Sequence, residues 1–344
     1  VRWPPEVVAL LLLLSALLVY FQYTTLDKLG VLPPSVGFTS LASFAETLRR
    51  AVPFSAGDAA SAALILVTFA SLVVLEIRSR RLSAFFDAVF QNERRTVSAV
   101  ALFSLLAVRF YFARGELTWA ADSSIHIGYA WVAARAFAEG ELPIWTNVFC
   151  AGSPFLQFYG FLFFYVVGLA NLVFRDLFFS IKLVMAAAHV VSGIGTYLFV
   201  RTLCRSRPAG FVAGIGLVLT FWHTQQVVVM GRLPLSVFYG LLPWPFYCFE
   251  RLRMEREWLR SAMAGATTLG LLAFTHPGYA FWTTGLLIGY ALVRLWTERR
   301  GTPLKTWLPR SLLLLGGGLV VGAYLALPMW IERVHTGLRF GLSM

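Results

Sequence analysis

Uncharged apolar runs of 18 residues and more recur along this chain, and they limit its folding more than any motif does. A helix needs about 20 such residues to cross roughly 30 Å of hydrocarbon. Within lipid the backbone must satisfy its own hydrogen bonds, so each such run reads as a helix. Composition agrees: 58% of residues are hydrophobic and 13% charged, against about 25% charged in a soluble domain. The fold class read from sequence is therefore all-α polytopic membrane protein. The net charge of +12 would suggest nucleic acid only if it formed a patch on a soluble surface. Here the basic residues sit in short loops between apolar runs, and nucleic acid is set aside as a partner.

Spans are predicted at 6–23, 57–77, 96–113, 177–200, 209–230, 235–249, 260–275, 277–294 and 311–331, about nine transmembrane helices in all, with a further apolar stretch at 155–174. Residues 1–95 hold the first two spans and their loops. Residues 96–344 form the main transmembrane module, with a large first external loop at 114–176. Four loops, 78–95, 201–207, 250–260 and 294–310, carry 17 of the 29 Lys and Arg residues, which makes them cytoplasmic. The span at 177–200 must then run inward, so everything between residues 114 and 176 begins and ends outside. The apolar stretch at 155–174 is accordingly predicted to lie at the outer interface as a juxtamembrane helix rather than to cross. An uncleaved first span fits the N-terminal run better than a signal peptide, since no small-residue cleavage site follows it. The loop at 24–56 reads as an external connector. No internal repeat is seen. Beginning on Val1 and stopping soon after the last span, the chain reads as a fragment of a longer protein.

Cys150, Cys204 and Cys248 are odd in number and widely spaced, which indicates neither a disulfide framework nor a zinc site. The unusual polar residues gather on the external side: Asp122, His126, Arg232, His276, Glu332 and His335, from four loops. Asp122 and His126 stand at i, i+4, one above the other on a helix. Asp122 also sits where an N-cap belongs, before "SSIHIGYAWVAARAFAEG". Both readings stay open: a cap, or a carboxylate that takes a proton or holds a metal, oriented by the histidine. Arg232, alone on the outer side, is either snorkelling to the interface or a fork for phosphate. His276 either ends a helix before Pro277 or joins the site. His189 reads as a helix–helix hydrogen bonder, and His223 is a weaker candidate.

An acid in the first large external loop is followed by a helix, then "GELPIW", "CAGSPFLQFYGFLFFYV" and a span ending "YLFVRTLCRS". This order resembles the GT-C superfamily of membrane glycosyltransferases, relatives of the oligosaccharyltransferase, protein mannosyltransferase and aminoarabinose transferase groups. The elements that match are Asp122, His126, Gly140, Pro143, Trp145, Gly152, Pro154 and Tyr159. "GRLPLSVFYGLLPWPFYCFERL" and "LLAFTHPGYAF" resemble two further blocks, so the match covers roughly residues 96–330. The resemblance implies an enzyme of the prokaryotic plasma membrane with its active site on the external face. It would transfer a sugar from a polyprenyl-phosphate donor to a glycan, lipid or protein acceptor. Asp122 would be the base or the group that orients the acceptor, and His126 would hold it. Arg232 and His276 would pair with the lipid phosphate, and Trp145, Gln157 and Tyr159 would contact substrate. Many relatives use a second acid in the next external loop for metal. Here that loop is "VVMGRLPLS", so a divalent ion, if one binds, would fall to Asp122 and His126. Two other readings remain: a non-catalytic protein that binds lipid-linked glycan, and a transporter, against which the clustering of ionisable residues at one face speaks.

Overall fold

The computed structural model describes residues 76–336 apart from 113–121, 149–151, 158, 221–225, 228–229, 255–257 and 299–303, together with residues 67, 71 and 74. The predicted span at 6–23, most of that at 57–77, the loop at 24–56 and His223 lie outside the described residues, as does the side chain of His335. The chain divides into two compact units, residues 1–95 with 220–222, and residues 96–219 with 223–344. In the first unit, helix α1 (Arg81–Phe90) carries a ladder of rings, Phe85 on Phe86 and Phe86 on Phe90. The Ser83 hydroxyl donates to the Glu76 carboxylate.

The described residues are mostly helical. Helix α2 (Glu93–Ala107) leads to a 3-10 turn at Arg109–Phe112. In the second unit α3 (Ser123–Ala138) is followed by two short antiparallel strands, β1 (Trp145–Thr146) and β2 (Ser153–Pro154), with Trp145 opposite Pro154. Then come α4 (Leu162–Phe174), α5 (Leu177–Cys204), α6 (Arg207–Val218), α7 (Leu235–Leu241), α8 (Pro243–Met254), α9 (Trp258–Thr275), α10 (Pro277–Glu298) and α11 (Leu304–Thr336). Capping explains several boundaries. The Asp176 side chain accepts from Phe179 N at 2.9 Å to start α5, and Ser206 does the same for Ala209 N at 3.3 Å at the head of α6. Pro277 cannot donate to the preceding turn, so α9 ends and α10 begins around His276.

Helices α5, α7, α8 and α9 surround a core that includes Ile181, Met185, Phe238, Phe249 and Leu272, all buried. Helix α9 lies along α11 at close range, because a Cβ added to Gly270 would run into Val321 and one added to Gly318 into Leu269. Small residues at such a seam let two backbones approach, which is how apolar helices associate without water to drive them.

Among the described residues two helices, over Leu177–Cys204 and Thr306–Glu332, are long and apolar enough to cross a membrane. The outward residues of α10 (Phe281, Trp282, Leu286, Leu292, Val293 and Trp296) and of α11 (Leu319, Val320, Tyr324 and Trp330) are exposed. An apolar surface of that extent is unfavourable in water and fits lipid. Two predicted spans are redrawn. The one at 209–230 is helical in α6 only to Val218, where Leu219 ends the helix. Its polar tail, Thr224, Gln225 and Gln226, was averaged away in a long apolar window. The one at 235–249 is two helices, because Pro243 interrupts the ladder between α7 and α8. Helix α4, at 13 residues, is about 20 Å long, short of the thickness of a bilayer core.

Candidate functional site

Four segments meet around one ring system. Helix α3 starts where expected, and Asp122 occupies the N-cap position, but its side chain makes no cap hydrogen bond. The carboxylate turns instead to Arg232, whose Nε lies 3.5 Å from Asp122 Oδ2, with the two side chains 39% and 50% exposed, respectively. The backbones are tied as well: Asp122 N donates to Met230 O at 3.2 Å. Arg232 is fixed from the other side by Gln226, whose side-chain carbonyl accepts from the Arg232 guanidinium at 2.8 Å and whose backbone carbonyl accepts from Arg232 N at 3.1 Å. Gln226 is buried. Sequence reasoning missed it, since nothing marks a glutamine in an apolar window as the partner of an arginine six residues on.

His126 does not hold Asp122 by its ring, as the sequence had suggested. The two are linked through the backbone, His126 N to Asp122 O at 3.2 Å. The buried ring lies 2.8 Å by Nδ1 from the carbonyl of Gly231. A carbonyl only accepts, so Nδ1 carries the proton and Nε2 the lone pair. Nε2 faces the Tyr159 hydroxyl at 3.3 Å, which donates to it. Gly231 presents its carbonyl from φ 65°, a backbone conformation that side chains other than glycine's disfavour. His126 therefore anchors the loop that carries Arg232.

Tyr159 bridges to the fourth segment. Its ring stacks near that of His126 and meets His276 edge-on at 6.0 Å between centroids. The bridge depends on Gly160, where a Cβ would collide with the backbone carbonyl of Thr275, the last residue of α9. His276 Nδ1 accepts from Tyr279 N at 3.3 Å, capping α10. Its remaining nitrogen, Nε2, then carries the proton of the neutral ring.

Burial dominates the electrostatics. It pushes His126 below the ordinary imidazole range, with Arg232 adding to that push and the Gly231 bond and Asp122 opposing it. Burial likewise lowers His276, reinforced by Arg232 and His126. Tyr159 is pushed up to about 12, first by burial and then by the Asp122 charge. The histidines are thus neutral near pH 7, and Arg232 is the cation of the group.

The remaining predicted residues lie in other contacts. The Trp145 indole N–H donates to Asn147 Oδ1 at 2.9 Å and its ring is exposed. The Gln157 amide donates to the Glu332 carboxylate on α11. His189 is buried within α5. The Asp122 carboxylate faces a guanidinium, and both ring nitrogens of His126 are engaged. Among the described residues no group of three His, Cys, Asp or Glu side chains is placed to hold a metal. Comparison with known protein families, with curated proteins and with solved structures gives no match.

Proposed function

We propose that this chain is a membrane glycosyltransferase of the GT-C type, moving a sugar from a polyprenyl-phosphate donor to an acceptor hydroxyl on the external face. What supports the reading is the meeting of Asp122 with Arg232, backed by His126, Tyr159 and His276 from separate segments. The acceptor oxygen attacks the anomeric carbon, the bond from that carbon to the phosphate oxygen breaks, and Asp122 takes the acceptor proton. Polyprenyl phosphate leaves with the bonding electrons. Arg232 meets the charge that develops on it, and the Nε2–H of His276 is a second donor. A half-exposed ion pair holds by less than about 1 kcal/mol, so the guanidinium can turn from Asp122 to a donor phosphate. That exchange frees the carboxylate to act as base as the donor arrives.

Lone pairing of the acid with an arginine also suits a protein that binds lipid-linked glycan without turnover. Proteoliposomes given a radiolabelled polyprenyl-phosphate sugar and a mixed acceptor fraction separate the two. Transfer by the native chain and its loss in Asp122→Asn, with an unchanged thermal midpoint, supports the transferase. Saturable donor binding without transfer by the native chain supports the binding protein. Full transfer by Asp122→Asn removes Asp122 from the chemistry.

A further inference from the structure

No charged residue lies between Glu141 and Arg175. In a membrane protein such a stretch is ordinarily a span, yet here it folds into the β1–β2 hairpin, a turn and the short helix α4. Both described parts turn apolar side chains outward. On the hairpin Leu142 is 68%, Ile144 69%, Trp145 57% and Val148 55% exposed. On α4 the outward residues are Val166, Leu169, Leu172 and Val173, the last 75% exposed. The two faces belong to one body, since the Tyr165 hydroxyl on α4 donates to Pro143 O at 3.0 Å and Phe155 N donates to Ile144 O at 2.9 Å.

We infer that the segment at 142–148, β1 with its flanking residues, inserts into the outer leaflet of the bilayer and, with α4, seats the Asp122 site against the lipid surface. The occupant is lipid because of the chemistry that is missing. A protein interface surrounds its apolar core with a polar rim, whereas the exposed residues named here are aliphatic or tryptophan and the whole stretch from Leu142 to Phe174 carries no charge. Aliphatic side chains beside a tryptophan, with the ring N–H already satisfied by Asn147, match the composition of the interfacial zone. The surface is continuous with α5, on which α4 packs and which is long and apolar enough to cross. The inference rests on the membrane reading of the chain and does not depend on sugar transfer.

The test places an environment-sensitive fluorophore at Ile144→Cys, in a chain whose Cys150, Cys204 and Cys248 are replaced by Ala, reconstituted in nanodiscs. The exposed Glu139→Cys on the same fold serves as the aqueous reference. Shallow nitroxide lipids should quench the label at 144 at least about threefold more than that at 139, with iodide giving the reverse order. Iodide quenching at 144 equal to that at 139 would overturn the inference. So would protection from both quenchers, which would mean a protein partner or second copy covers the hairpin. The assay reads no turnover, so an inactive protein can still give the expected result.

Discussion

At the His276 end of α10, Asp122 meets a single guanidinium at 3.5 Å with both side chains substantially exposed. Near the other end, Glu250 on α8 is 1% exposed and bonds Arg253 through both oxygens at 2.9 Å. It also lies 3.2 Å from Arg294 Nε and accepts the Tyr290 hydroxyl at 2.6 Å. Residues 277 and 294 of α10 are about 26 Å apart at 1.5 Å per residue. A carboxylate thus meets arginine near each end of α10, with different jobs. The buried carboxylate is saturated and locks α8 to α10. The half-exposed one is loosely paired and can exchange partners.

On the proposed function, the largest effect that separates the two is on sugar transfer. Asp122→Asn should lower transfer by about 100- to 10,000-fold and leave the unfolding midpoint in place. A fall in stability instead would give Asp122 the structural role assigned here to Glu250. Glu250→Gln should do the opposite, costing about 3–5 kcal/mol because arginines are left buried without their counter-charge. Thermal unfolding in detergent measures it, and native stability in this variant would end the contrast.

Acid should also distinguish the ends. Burial holds His126 and His276 below the free imidazole value of about 6.5. The unfolded chain therefore binds more protons than the folded one as pH falls below that value. This contribution is complete above it and is lost on acidification. Unfolding midpoints taken from pH 7.5 down to 5 should fall, and less steeply in His126→Gln. An identical slope in that variant would show that His126 is not a source. The smallest effect is the coupling of Asp122 to Arg232. A double-mutant cycle on stability should give about 0.2–1 kcal/mol, well under the value for Glu250 with Arg294, and a larger one would mean that the Asp122–Arg232 pair is not free to exchange.

The boundary at His276–Pro277 was legible because proline acts locally; the start of α3 at Ser123 was placed too, although the Asp122 side chain makes no cap hydrogen bond. The candidate site was legible in part: Asp122, His126, Arg232, Tyr159 and His276 could be named, but their pairing could not. The i, i+4 spacing suggested that His126 holds Asp122. The structure gives the histidine to Gly231, a partner 105 residues away. Gln226 was hidden for the same reason, because a side chain's partner is set by where the loops pack. The end of α6 at Val218 was invisible to a window that averages hydropathy over many residues.

Sequence by itself determined the solvent in which this chain folds. The length and frequency of its uncharged runs, and the gathering of arginines in a few loops, are sums over many residues that no single contact can reverse. Only the tertiary structure decided which acid is locked and which is available. That difference depends on how much water each carboxylate keeps and how many donors surround it, and both follow from packing among segments far apart in the chain.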